Sequence, residues 1–293
     1  VEKVKEYSFV NFPEPLRRVA RGPAKYALSA WYWKRLRFTD APPIFGNAKP
    51  KSGSHLLLQI LGGMCRVAPY AYAEEQPIRT ITPEGRRRSQ EEILEDLRRI
   101  PPGVIGWGYL DATPENISFL CRPNRVNYFI YRDPRDMLVS HVFYATEMHK
   151  GHGMHEYYQS LPNFDERLKV AITGIHEGEL HLSSVRERYE SVFQWLETSQ
   201  VMPIRFEDLI NNRSATLHAM LDEIEKTGYE IPTPREEAIQ ILEQSVQPKK
   251  SRTFRSGKTG TWKKHFKEEH KRLFLDVAGD LLIRLGYEED DNW

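Results

Sequence analysis

The chain has 293 residues, 40% of them hydrophobic, and its 42 Lys and Arg nearly balance 41 Asp and Glu for a net charge of +1. That length supports a large core, and the even balance excludes a general nucleic-acid footprint, so that any cations that matter act locally. Two cysteines, Cys65 and Cys121, make no disulfide framework, no signal peptide is visible and no apolar run reaches membrane-spanning length; the expectation is a cytoplasmic protein without stable membrane insertion.

Residues 1–41 are basic and aromatic. Tyr26 to Arg37 reads as an amphipathic helix that packs across the following domain, residues 42–293, with a membrane surface or a partner as its alternative target. Next, Pro42 to Asn47 reads as a buried strand and Leu56 to Leu61 as the first turns of a buried helix. Between them lies Lys49-Pro50-Lys51-Ser52-Gly53-Ser54-His55, the N-terminus of that helix. Unpaired backbone N–H groups and the positive dipole end suit an anion there, Gly53 permits close approach, Ser52 and Ser54 add hydroxyls, and Lys51 adds a mobile charge. The order is not that of a Walker A loop, because Lys51 precedes Gly53, so an ordinary nucleoside triphosphate kinase is disfavoured.

Farther on, a strand at 104–109 leads into Gly108-Tyr109-Leu110-Asp111-Ala112-Thr113-Pro114-Glu115. In an extended chain Tyr109 and Asp111 share a face. Asp111 is a ready proton acceptor, whereas tyrosine, with a reference pKa near 10, would need strong help; the alternative is that Tyr109 packs and Asp111 caps the turn before Pro114. The apolar run Val126 to Tyr131 reads as a central strand carrying Arg132 at its end, with Asp133 as N-cap and Pro134 as first residue of a helix that brings Ser140 beside an anion held by Arg132. An Arg132–Asp133 ion pair is the structural alternative.

His149, His152 and His155 recur every third residue, but two glycines interrupt them and no fourth ligand is arranged, so the expectation is a substrate-facing loop and no metal. A fourth strand is expected at 201–206, with Asp208 capping the turn beyond it, and helices after 54, 90, 134, 185, 214, 235 and 268. Such alternation implies a parallel sheet covered on both faces. Last comes Lys249 to Phe266, rich in cations, glycine and hydroxyls and without an apolar period, read as a mobile loop that closes over an anionic ligand.

The segments P-K-S-G-S-H-L-L, Y-R-D-P-R-D-M-L-V-S and F-R-S-G-K-T-G-T-W-K-K-H-F, in that order, resemble the nucleotide-binding signatures of soluble, cytosolic-type sulfotransferases. Those enzymes use 3′-phosphoadenosine 5′-phosphosulfate (PAPS) and release adenosine 3′,5′-bisphosphate (PAP). The resemblance implies a P-loop-like three-layer α/β fold with a central, mostly parallel sheet flanked by helices on both faces. It assigns Lys51, Ser52, Gly53, Ser54 and His55 to the 5′-phosphosulfate loop, and Arg132, Ser140, Arg255, Ser256 and Gly257 to the 3′-phosphate. Ser256 stands where the family usually has lysine, and Leu56 where many members have an adenine-stacking tryptophan.

The family's base, a histidine, falls at Tyr109. The catalytic set expected here is therefore Lys51 on the leaving oxygen, Asp111 as base, Tyr109 orienting the acceptor, and His55 in reserve with His141. Trp107, Tyr109, Asp111, Tyr144, His149 and His152 are expected to line the small-molecule acceptor site. A hydroxyl or an amine could be sulfated, a monomer and a homodimer remain open, and the competing reading is a catalytically inactive, nucleotide-binding regulatory protein on the same fold.

Overall fold

Strands buried on both faces need near-continuous apolar sequence, and the runs at 44–48, 104–109 and 126–131 form the centre of one parallel sheet, with 202–205 at its edge. The computed structural model describes residues 40–72, 77–83, 85–178, 180–247 and 257–293; the expected N-terminal helix lies outside them. In chain order the first half comprises β1 (Ile44–Ala48), α1 (Ser54–Met64), β2 (Ala71–Tyr72), β3 (Ile78–Arg79), α2 (Gln90–Arg98), β4 (Val104–Tyr109), α3 (Pro114–Leu120), β5 (Val126–Tyr131) and α4 (Pro134–Phe143). A π-helical turn, Tyr144–Met148, continues α4. Then follow α5 (His155–Ser160), α6 (Phe164–Thr173), β6 (Ile175–Glu177), β7 (Leu180–Leu182), α7 (Val185–Glu197), β8 (Met202–Arg205), α8 (Phe206–Asn211), α9 (Arg213–Glu225), α10 (Arg235–Ser245), α11 (Glu268–Ala278) and α12 (Leu281–Arg284).

The sheet order is β2-β4-β1-β5-β8, with β3 on the same edge of β4 as β2. Ile44 pairs with Ile105 on one side and Val126 on the other, so connections from β1 leave first toward β4 and later toward β5. That reversal opens a crevice at the carboxyl ends of the strands, where α/β sheets bind ligands. Alternating side chains serve two layers. Ile44, Tyr128 and Ile130 pack with α1, α9 and α10, while Phe45 and Phe129 pack with α2, α3 and α7. A third cluster, from α4, α6, α11 and α12, builds up beside the sheet.

Two expected caps fall elsewhere. Thr113, not Asp111, caps α3, because its hydroxyl reaches the Asn116 N–H. Asp208 does not cap a turn but lies inside α8, where its carbonyl accepts the Asn212 N–H. The short β2 and β3 and the β6–β7 hairpin are additions to the expected strands; two- and three-residue strands carry too little alternation to be seen in sequence.

Candidate active site

The loop between β1 and α1 is held by backbone demands. Lys51 takes a left-handed φ of 68° and Gly53 a φ of 99°. A Cβ on Gly53 would lie 2.5 Å from Phe206 Cδ2 and 3.1 Å from Ile130 Cδ1, so only glycine lets the loop sit against α8 and β5. No side chain caps α1, which leaves its first-turn N–H groups for a ligand. Ser52 is wholly buried, and its hydroxyl has no hydrogen-bond partner among the described residues. Lys51 Nζ lies 3.7 Å from the centre of the Tyr144 ring. Ser54 Oγ is 3.0 Å from Tyr109 OH, which ties the loop to the end of β4.

At the end of β5, Asp133 caps α4 through the Arg135 N–H, and Pro134 occupies the first helical turn as expected. Asp133 also takes the Arg135 guanidinium at 2.7 Å. The alternative Arg132–Asp133 pair therefore does not form: Arg132 instead faces Asp136 at 3.5 Å, donates to the Lys258 carbonyl at 2.9 Å and covers the Phe206 ring. It is 7% exposed, and its Nε is buried without a partner among the described residues.

Asp136, wholly buried, accepts from Gly260 N, Thr261 Oγ1 and Trp262 N at 2.8–2.9 Å. The 260–262 part of the third motif is thus fixed onto the second by one carboxylate. Ser140 and Gly257 face the same cavity as Arg132. Arg255, Ser256 and the rest of the expected closing loop before Gly257 lie outside the described residues.

Lys51, Gly53, Ser54, Arg132, Ser140 and Gly257 open on one cavity of about 980 Å³, while Ser52 and Asp136 stand behind its wall. Phe206, Ile210 and Arg213 line its β8 end together with Leu56 of α1; Arg79 to Thr82, Trp107, Tyr109 and Asp111 line its β3–β4 end; Lys51, Ser54 and His55 lie between. Burial and the nearby Lys51 depress the His55 pKa, so its imidazole is neutral at pH 7.

Trp107, Tyr109, Asp111, Tyr144, His149 and His152, expected at the acceptor site, line this cavity, whereas Tyr157, a further aromatic candidate of the same stretch, does not. Burial raises the Tyr109 pKa, which further removes it as a base. Asp111 is paired with Lys49 at 3.7 Å and Arg87 at 3.3 Å. Lys49 donates to Ser191 Oγ at 2.9 Å, and burial lowers its pKa to about 8. The π-helical turn aims Tyr144 inward against His149 and His152, with ring centroids 5.4 and 5.8 Å away.

His152 Nδ1 accepts the Met154 N–H at 3.1 Å, and burial pulls its pKa down to about 4. Its neutral ring therefore carries the proton on Nε2 and acts there as a donor. His141 lies behind His152, buried and off the cavity wall, so it does not reach a ligand. Among the described residues no cluster of three His, Cys, Asp or Glu is arranged for a metal ion.

Lys49, Arg79, Phe206, Arg213 and Asp136 belong to the site but were not among the expected residues. Lys49 stood inside the first motif and Asp136 inside the second, at the i+4 spacing from Arg132 that puts both on one helical face. Arg79, on a two-residue strand, has no sequence signal.

A family model described as a sulfotransferase domain matches residues 124–286. Among solved structures, mouse sulfotransferase SULT7A1 complexed with PAP is similar over 84% of this chain and 88% of its own, at 18% identity and a TM-score of 0.58. Retinol dehydratase in complex with androsterone and inactive cofactor PAP is similar over 88% of this chain and 85% of its own, at 17% identity and a TM-score of 0.52. No curated protein matches the sequence. The structural likenesses show the shared fold, a mostly parallel sheet between helical layers.

Proposed function

Because the chain belongs to the sulfotransferase family, we propose that it transfers a sulfuryl group from PAPS to a hydroxyl or amine of a small-molecule acceptor and releases PAP. The observation that carries this reading is the single cavity in which the Lys51 loop, Arg132 and Ser140 stand on one side and Tyr109 and Asp111 on the other. The residues fit the nucleotide: Gly53 leaves a cradle that a Cβ would fill, and Arg132, whose Nε is buried without a partner among the described residues, lines the same cavity. The presence of PAP in both similar structures supports it.

PAPS supplies a sulfuryl group on a phosphate leaving group, so cations and N–H donors serve in place of a metal-generated nucleophile. Lys51 and the first turn of α1 stabilise charge that builds on the 5′-phosphate oxygen as its bond to sulfur breaks. Arg132, Ser140 and the 255–257 segment hold the 3′-phosphate and so fix the position of that oxygen. Leu56, Phe206 and Ile210 offer the adenine an apolar wall in place of tryptophan. On the opposite side Tyr109, anchored through Ser54, orients the acceptor, and Asp111 takes its proton as the new bond to sulfur forms. His55, neutral and on the same wall, is the reserve base.

The test is PAP release from PAPS across a panel of phenols, alcohols and amines, for the wild type and Asp111→Asn. Acceptor-dependent release that falls about 100-fold in the variant is the expected result. Tight PAP binding with no turnover on any acceptor would favour the inactive, regulatory reading.

A further inference from the structure

The cavity walls are unbalanced in charge. Lys49, Lys51, Arg79, Arg132 and Arg213 face the cavity, against Asp111 as the sole lining carboxylate among the described residues. Lys51 and Arg132 belong to the phosphate positions, and Arg213 lies at the β8 end with Phe206. Asp111 is already matched by Lys49 and Arg87.

That leaves Arg79. Its guanidinium rests over the Tyr109 ring, 5.1 Å from the centroid, and has no hydrogen bond or ion pair among the described residues. It is half-buried, on an edge strand whose Arg79 pairs with Tyr109 of β4. Three strand spacings separate β3 from β5, which carries Arg132; at about 4.8 Å each that is roughly 14 Å across the sheet. The two phosphate positions straddle β1 and β5, so Arg79 lies beyond both, on the acceptor side.

Hydrogen-bond capacity at this end is equally lopsided. Arg79 offers five N–H donors and His152 its Nε2–H, whereas the available carboxylate is engaged. A stacked, half-desolvated guanidinium without an anion matches the planar two-oxygen face of a carboxylate or of a sulfate or phosphate ester. Around it Trp107, Tyr109 and Tyr144 supply aromatic walls.

We propose that Arg79 is the recognition group for an oxyanion on the acceptor, which makes the substrate class anionic aryl alcohols or amines. This inference rests on the PAPS reading above, and it assigns Arg79 to specificity rather than to the chemical step.

The test uses protein saturated with PAP, so that both phosphate positions are filled and only the acceptor end can respond. Benzoate, phenyl phosphate and phenyl sulfate are titrated beside neutral benzamide, with the wild type, Arg79→Gln and Arg79→Lys. At least one aryl anion is expected to bind ten-fold or more tighter than benzamide, and the identity of the best one distinguishes carboxylate from ester oxyanion. Arg79→Gln should remove that preference, Arg79→Lys should retain part of it, and PAP affinity should stay unchanged in both.

Equal binding of anions and benzamide, absence of any aryl-anion binding, or a preference that survives Arg79→Gln would overturn the proposal while leaving PAP binding intact. Failure to bind PAP at the outset would instead overturn the sulfotransfer reading, and this subsite with it.

Discussion

At the β5 end of the cavity Arg132 is nearly buried, bound to the Lys258 carbonyl, to Asp136 and to the face of Phe206, whereas at the β3 end Arg79 rests over the Tyr109 ring without a hydrogen bond or ion pair among the described residues. The first is a site organised before its ligand arrives. It is built from a left-handed loop, an uncapped helix and a carboxylate that pulls a distant segment into place. The second draws on short strands, a π-helical turn and histidines whose rings contact one another. One end is tied together by many contacts and the other by few, and the contrast can be broken experimentally.

The largest effect is expected at the junction of the two ends. Lys51→Ala should lower kcat by about 10²–10³-fold, the cost of removing one preorganised charge from a leaving oxygen. PAP affinity should change far less, because Arg132 and the α1 N-terminus remain. Single-turnover rates beside calorimetric affinities separate the two effects, and an equal loss in both would mean that Lys51 only binds.

Asp136→Asn sharpens the comparison from the organised side. The amide can accept at one oxygen only, so either the bond from Gly260 or the pair from Thr261 and Trp262 is lost and the new NH2 faces a donor inside the fold. A loss of about 1–3 kcal/mol in urea denaturation is expected. The 257–264 segment should also become more accessible to proteolysis, and a variant as stable as wild type would show that this tether is dispensable.

The smallest effect belongs to the acceptor side. Lys49 loses its proton near pH 8 because it is buried. Below that pH its ammonium engages Asp111 Oδ1; above it the neutral amine releases that oxygen to the acceptor, while Arg87 stays on Oδ2. kcat/KM should therefore rise a few-fold between pH 7 and 9 in the wild type and stay flat over that range in Lys49→Met. A rise that persists in the variant would assign it to another group.

The same contrast decides what the sequence could reveal. The loop around Gly53 and the Arg132-Asp133-Pro134 turn were legible because backbone sterics and capping confine the residues that can occupy them, and the central strands β1, β4 and β5 because burial on both faces leaves long apolar runs. The aromatic and imidazole residues expected at the acceptor end, Tyr157 apart, do line the cavity. Their partners were hidden: Lys49 meets Asp111 across the sheet, Asp133 chooses Arg135 over Arg132, and β3 brings Arg79 to Tyr109 through two residues of pairing. Contacts between segments far apart in the chain leave no local pattern, and a two-residue strand has none to leave.

The proposed ligand is a nucleotide with two separate phosphate groups bound across β1 and β5. Titration calorimetry of PAP and AMP against the wild type and Arg132→Ala tests it most directly. PAP is expected to bind the wild type with a Kd of about 1 μM or lower, some −8 kcal/mol, and AMP, which lacks the 3′-phosphate, roughly 100-fold more weakly. Arg132→Ala should weaken PAP by a similar factor and leave AMP almost unaffected. No PAP binding, or equal affinity for PAP and AMP in the wild type, would contradict the assignment of Arg132 and of the site itself.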